Sequence, residues 1–252
     1  MRGLILLGAL VGCTGTAAPD PNQPIVIRGD GVQQSDDGHG KAEHAHGDKH
    51  AHGHHPPDGA TTDHRFEDPE KWSKVFDDPE RDAWQKPAEL VKAAGITDGM
   101  VVADIGAGTG YLGAHLATAV GPKGRVILAD VEPTLVEHMN LRFADQPQVK
   151  GRLIPMDKPG LDTDEVDAVI FLDVVHHISG RVAWFEQLKD AVKPGGRVII
   201  VDFKPGDIPV GPPPEHRLAA EQIEKELGEA GWKLVDSPEV LEYQFVQIYE
   251  EK

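Results

Sequence analysis

Two groups of residues in this 252-residue chain have types and spacing suited to chemistry on a nucleoside-bearing ligand. The first is Asp104-Ile105-Gly106-Ala107-Gly108-Thr109-Gly110, where an apolar run ends in a glycine turn. Glycines there permit positive φ and let a ligand approach the backbone. Asp130 follows about 20 residues later, where an acid can accept both hydroxyls of a ribose. The second group is Phe171-Leu172-Asp173-Val174-Val175-His176-His177-Ile178, whose Asp173, His176 and His177 are types that hold or move protons. Ligands of alternating strand–helix folds sit outside the carboxyl ends of the strands, where both groups fall.

The loop's spacing narrows the ligand. Its glycines fall at 106, 108 and 110, and the dinucleotide pattern's third glycine would be at 111, which is Tyr111. That argues against a nicotinamide oxidoreductase. With Asp104 two residues ahead, the segment resembles motif I of the class I S-adenosylmethionine (SAM)-dependent methyltransferases. The resemblance implies SAM as cofactor. It places Asp104 near the methionine end, and Gly106, Ala107, Gly108, Gly110 and Tyr111 along the cofactor. Asp130 then takes the ribose and Val131 packs on adenine. Met156-Asp157 fits the family's acid near the adenine amino group, with Asp162 and Asp164 as rivals. The Asp173–Ile178 segment resembles the motif after the family's fourth strand, so Asp173 counts among both cofactor-binding and catalytic candidates. Lys193-Pro194-Gly195-Gly196 is similar to the family's structural turn before strand five. The resemblance runs from about Pro87 to the C-terminus.

Methyl transfer from a sulfonium needs in-line positioning and exclusion of water. A base is needed only if the acceptor is protonated at working pH. His176 is the first candidate, then His177 and Asp173. For His177, packing under the loop is an equal reading. Arg81, Trp84 and Gln85 could form part of a lid, although helix packing alone would also explain Trp84.

The elements that must position these residues alternate. Helix starts are expected at Asp68-Pro69-Glu70 and Asp77-Asp78-Pro79-Glu80, and a third helix from Pro87 to Gly95. Strands are then expected at 100–105, 125–129, 149–154, 166–172 and 197–203, with helices at 111–120, 134–143, 181–192 and 215–230. Two closing strands are expected at 232–235 and 241–249. The expected fold is α/β: a doubly wound, mostly parallel seven-stranded sheet with helices on both faces and a closing antiparallel strand pair.

Composition excludes some partners. With 42 acidic against 25 basic residues the formal net charge is −17, so no basic surface for nucleic acid is expected. A small-molecule methyl acceptor fits better, with the protein a monomer or weak dimer. The acceptor's identity is not legible.

The N-terminus divides the chain further. Arg2, the apolar run Leu4–Val11 and then Gly12-Cys13 have the layout of a secretory signal. Leu10-Val11-Gly12-Cys13 resembles a bacterial lipobox, which implies a signal over residues 1–12 and a lipid anchor on Cys13. Thr14 in place of Asp implies the outer membrane, facing the periplasm. The alternative is the apolar N-terminus of a cytoplasmic protein. Residues 13–64 are expected to be a disordered His-rich linker, and 65–252 the methyltransferase domain with an N-terminal helical cap. Within the linker, His44, His46, His50, His52, His54 and His55 suit weak binding of a divalent metal such as Zn, Cu or Ni. No C-x-x-C or H-E-x-x-H framework accompanies them, and a solvated spacer is the alternative. SAM is made in the cytosol, which conflicts with an exported chain. A second reading therefore stays open: a lipid-anchored SAM-binding or metal-handling protein on a methyltransferase-like fold, without catalysis.

Overall fold

A computed structural model of the chain describes residue 66 and residues 68–252. Three short helices come first: α1 (Pro69–Phe76), α2 (Arg81–Gln85) and α3 (Pro87–Ala93). Asp68 caps α1 by accepting from the Lys71 N–H at 3.1 Å, with Pro69 in the first turn, as its sequence suggests. Asp78 accepts from the Glu80 N–H at 2.9 Å just ahead of α2.

Strands and helices then alternate: β1 (Val101–Ile105), α4 (Gly113–Val120), β2 (Arg125–Asp130), α5 (Pro133–Arg142), β3 (Val149–Leu153), β4 (Val166–Leu172), α6 (Arg181–Leu188), β5 (Val192–Phe203), α7 (Ala220–Glu229), β6 (Trp232–Asp236) and β7 (Gln244–Glu251). The seven strands form one sheet in the order β3-β2-β1-β4-β5-β7-β6. β1 to β5 pair in parallel, and β7 runs antiparallel to both β5 and β6. The expected doubly wound sheet with its antiparallel closure is thus the observed one.

Strand parity sorts the core into two layers. Ala103, Ile127, Val169 and Ile200 face α6 and α7, packing with Phe185, Leu188, Ile223 and Leu227. Val102, Val126, Ile170 and Ile199 face the other way, onto Leu90, Leu116, Val120 and Met139. Central strands buried on both faces read as continuous apolar runs, which is why Val166–Leu172 was legible to the residue.

Several boundaries differ from expectation. The helix expected over 181–192 stops at Leu188, and β5 starts at Val192, so the expected turn at Pro194-Gly195-Gly196 lies inside a strand. Val192 pairs with Val166 before the register shifts between Val166 and Ala168, and a bulge there tolerates a proline without a ladder donor. The helix expected over 215–230 is a 3₁₀ turn, Pro214–His216, followed by α7. Between them Arg217 is extended, and its guanidinium donates to the Pro212 carbonyl at 2.7 Å and the Gly206 carbonyl at 2.8 Å. Those bonds hold the loop out of a continuous helix.

The β3 edge is blunted by one side chain. Asn140 donates to the Gly151 carbonyl at 3.4 Å and accepts from the Gly151 N–H at 3.0 Å, standing in for a neighbouring strand. The signal, lipid-anchor and histidine-run expectations, from Cys13 through His44–His55, lie outside the described residues. Among the described residues no helix is long and apolar enough to cross a membrane. Nor does any group of three or more His, Cys, Asp or Glu among them form a metal cluster.

Candidate active site

The glycine loop leaves β1 at the centre of the sheet's carboxyl edge. The Gly106 and Ala107 N–H groups donate to the Ala129 carbonyl at 2.8 and 3.1 Å, so the loop folds onto the end of β2. Gly106 has φ +71°, and a Cβ there would stand 2.5 Å from the Val174 side chain. Only glycine fits both conditions. Asp130, at the tip of β2, accepts from the Gly108 N–H at 2.8 Å with one oxygen and from the Glu132 N–H at 3.0 Å with the other. The structure therefore brings Gly106, Ala107, Gly108, Gly110 and Asp130 together, with Tyr111 following at the loop's end.

Asp104 lies beneath this loop, buried, and its pKa is pushed up to about 8 by burial, with the Asp130 charge adding and Arg81 opposing. Asp130 is also raised, by burial above all, against the backbone donors that favour its ionised form. Two adjacent acids held in this way form a site for a cationic ligand with hydroxyls. SAM carries an ammonium, a sulfonium and a ribose, so the residues present fit it. Beside Asp130, Val131, Pro133, Leu153, Ile154 and Met156, together with Glu132, line an open, largely apolar groove of about 450 Å³. Asp157 is exposed just beyond the groove, its carbonyl accepting from Gln187. Asp162 and Asp164 precede β4 and so lie at the opposite edge of the parallel sheet, near Glu165 and Asp190.

The other half of the site sits across β4 and β5. Asp173 follows β4 in left-handed backbone, φ +60°, a conformation rare outside glycine. Its two carboxylate oxygens close a ring of hydrogen bonds. Arg81 donates to Asp173 Oδ2 and to Gln85 Oε1, both at 3.1 Å. Gln85 donates to Gln244 Oε1, and Gln244 donates to Asp173 Oδ1. Both Asp173 oxygens act as acceptors in the ring. Burial opposes ionisation and lifts the Asp173 pKa to about 7, while Arg81 pulls it down.

Arg81 also lies 4.2 Å from the centroid of the Tyr111 ring and donates to the Phe76 carbonyl at 3.2 Å. The Tyr111 hydroxyl donates to Asp82 at 2.5 Å, and burial with that contact raises the phenol's pKa. Trp84 packs 6.1 Å from Phe203 and 6.4 Å from Tyr243, ring centre to ring centre. From α1, Phe76 closes over Gly108, and the following Asp77 accepts from Thr109 at 3.1 Å and from Arg142 at 2.8 Å. The cap helices thus cover the glycine loop as a lid.

His176 is buried, and its Nδ1 lies 3.0 Å from Asp202 Oδ2 at the end of β5. Burial lowers the imidazole's pKa, but Asp202 and then Asp173 outweigh it, so the net shift is upward. Asp202 is itself fixed by the Phe203 N–H at 2.8 Å. His177 makes an edge contact with Phe66, rings 5.7 Å apart. Sequence reasoning missed Asp202 and Gln244. An acid ending the strand after the His-His motif was the available signal for Asp202. Gln244 had none.

Comparison with known proteins bears on the fold. A family model described as "Methyltransferase domain" matches residues 103–198. A ubiquinone/menaquinone biosynthesis C-methyltransferase, UbiE, of Pseudomonas putida is 28% identical over 117 residues, 45% of each chain, so the chain matches about half the length of that relative. The crystal structure of a SAM-dependent methyltransferase from Aquifex aeolicus superposes with a TM-score of 0.68 at 29% identity, covering 72% of this chain and 97% of that one. The methyltransferase CalH, solved with S-adenosylhomocysteine, shares the fold with a TM-score of 0.54 at 18% identity over 66% of this chain and 55% of its own. Residues 103–198 thus match a methyltransferase-domain model, and the described residues share the fold of the Aquifex aeolicus SAM-dependent methyltransferase.

Proposed function

We propose that this domain transfers a methyl group from SAM to a small, lipophilic acceptor held between the Asp173 ring and the His176–Asp202 pair. The observation that carries the reading is the glycine loop folded onto Asp130 above a buried Asp104. When bound, SAM supplies an electrophilic methyl group on sulfur. Asp104 is placed toward the ligand's cationic end, Asp130 toward its ribose, and Val131 with Met156 toward its adenine. The lid, tied down by Arg81 and Asp77, excludes water from the reacting groups. Asp173 orients the acceptor side, and His176 is the group suited to moving a proton. The likeness to enzymes named for C-methylation in quinone biosynthesis supports a lipophilic acceptor as a class.

Calorimetry with S-adenosylhomocysteine and transfer of labelled methyl to a cell extract test the reading. Asp104→Ala and Asp130→Ala should each weaken binding while leaving the fold intact. Unchanged affinity in both would sink the site assignment.

We infer from Arg2, the run Leu4–Val11 and Cys13 that the domain is lipid-anchored in the periplasm, on the outer membrane. Fractionation of cells making the full chain and its Cys13→Ala variant tests this. Unchanged partition between membrane and soluble fractions would return the chain to the cytoplasm.

A further inference from the structure

We propose that Lys86 is a strained one-residue hinge, and that the Arg81–Asp173–Gln244–Gln85 ring is the latch that holds the α1–α2 cap down against that strain. Release of the latch lets the cap swing as one body and gates exchange of the cofactor. The inference rests on the methyltransferase reading for its ligand, and on the described residues alone for its movement.

The anchoring of the chain changes character at residue 86. Leu90 and Val91 of α3 are buried in the apolar layer that holds Leu116 and Val120. No residue of α1 or α2 belongs to either apolar layer of the described core. Trp72 instead packs within the cap, its ring 4.7 Å from that of Phe66 and stacked 5.2 Å from that of Phe76. Polar side chains tie the cap to the body: Arg81 to Asp173, Gln85 to Gln244, Asp82 to Tyr111, and Asp77 to Thr109 and Arg142. A segment held in this way, outside the core, opens at a lower free energy than the domain unfolds.

A single residue joins α2 to α3. The Lys86 N–H donates to the Asp82 carbonyl at 3.1 Å, and its carbonyl accepts from the Leu90 N–H at 2.9 Å, so it ends one helix and begins the next. Its backbone is left-handed, φ +44° and ψ +57°, and Pro87 follows. Left-handed backbone crowds any residue with a Cβ, and a residue before proline is pushed toward extended backbone. Two dihedral angles therefore set the direction of α2 against α3, and both are held away from their preferred values. Among the described non-glycine residues only Lys86, Asp164 and Asp173 have positive φ. Asp173 is a member of the ring and Lys86 adjoins it at Gln85. Strain of this kind persists where surrounding contacts over-determine it, and here the ring supplies those contacts.

The latch sits where it can act on both halves of the site. Arg81 joins Asp173, after β4, to the Tyr111 ring at the end of the glycine loop. A swing about Lys86 lifts Phe76 from Gly108 and Asp77 from Thr109, which uncovers the loop. Hinges of this type are a few element-terminal residues that absorb the change in φ and ψ.

Hydrogen exchange on the full chain, without ligand, reads the movement. Amides of residues 69–85 should exchange as a group and faster than those of 90–94. Gln244→Leu breaks the latch from the body side and should speed exchange over 69–85 roughly tenfold, leaving 90–94 unchanged. Lys86→Gly removes the strain and should slow it about fivefold, with Lys86→Asn slowing it less. A gate alters both directions of exchange. Association and dissociation of S-adenosylhomocysteine should therefore both quicken in Gln244→Leu and both slow in Lys86→Gly. If Gln244→Leu does not fold, the two Lys86 variants carry the same discrimination. Loss of protection over 69–94 as one unit would overturn the hinge. Unchanged exchange in both Lys86 variants would overturn the strain, and ligand rates unmoved in every variant would overturn the gate. Failure of the unsubstituted chain to bind S-adenosylhomocysteine would instead overturn the reading beneath it, because the exchange pattern needs no ligand.

Discussion

The two halves of the site are built by different means. On the cofactor side, Asp104, the glycine loop and Asp130 lie within 27 residues of sequence, and backbone N–H groups make most of the bonds. On the acceptor side, side chains do the joining across the whole domain: Arg81 to Asp173, Gln85 to Gln244, His176 to Asp202. Local backbone geometry tolerates variation in the surroundings. A closed side-chain ring does not, because removing one member strands the others.

The largest effect should therefore come from the ring. Arg81→Leu leaves the Asp173 carboxylate without its cation and Gln85 without its donor. It should lower unfolding free energy by about 3 kcal/mol, the range for breaking a buried pair from one side. Urea titration measures it. Gln244→Leu in the same background should add much less than it does alone, because both act on Asp173. Additive losses would show that the ring is two separate contacts.

On the cofactor side the sharpest probe is steric. Gly106→Ala places a methyl 2.5 Å from Val174 in backbone of positive φ. Strain and overpacking of this kind cost about 2 kcal/mol. The loop can shift to relieve them only by moving away from the ligand, so affinity for S-adenosylhomocysteine should fall at least tenfold. A stable variant with full affinity would show that the loop does not carry the cofactor.

This contrast also explains what the sequence disclosed. The loop, Asp130 and the strand at Val166–Leu172 are short-range patterns, fixed by turn chemistry and burial on both faces. The lid was readable only as three residues, Arg81, Trp84 and Gln85, that could cover something. Their partners Asp173, Tyr243 and Gln244 come from elements more than 90 residues away; Asp173 was legible as a site residue but not as the partner of Arg81, and nothing in local composition points to Tyr243 or Gln244. The starts of β5 and α7 were displaced for the same reason. A bulge against Val166 and the bonds of Arg217 override the local turn and helix signals.

Acid titration joins the two halves. Asp104 and Asp173 have pKa values of about 8 and about 7 in the folded chain, against 3.8 for the free group. The folded state therefore holds more protons than the unfolded one in that window. The stability these groups lend is complete below about pH 4 and is lost as pH rises through 7 and 8. The ligand-free melting temperature should fall between pH 6 and pH 9. An ammonium placed beside Asp104 favours its ionised form, so S-adenosylhomocysteine binding at pH 7 should release protons. Calorimetry in buffers of different ionisation enthalpy reads that release, and Asp104→Asn should abolish it while Asp173→Asn leaves it. Binding enthalpies independent of buffer would remove the acid from the cofactor side.

The smallest effect tests the one place where the local half depends on a distant side chain. Arg142, at the end of α5, donates to the Thr109 carbonyl at 3.0 Å and to Asp77 at 2.8 Å, joining the glycine loop to the lid. Both side chains of the ion pair are partly exposed, so it contributes at most about 1 kcal/mol to stability. Arg142→Gln should leave the melting temperature within a few degrees of the parent. Its consequence should be kinetic, because Asp77 and Thr109 keep their own 3.1 Å bond while the lid loses its second tie to the loop. Dissociation of S-adenosylhomocysteine should speed up a few-fold with little change in association. If dissociation is unaffected, the cofactor side is self-sufficient and the lid serves only the acceptor. If affinity instead falls as far as in Gly106→Ala, the loop is held from outside, and the division between a backbone-built half and a side-chain-built half fails.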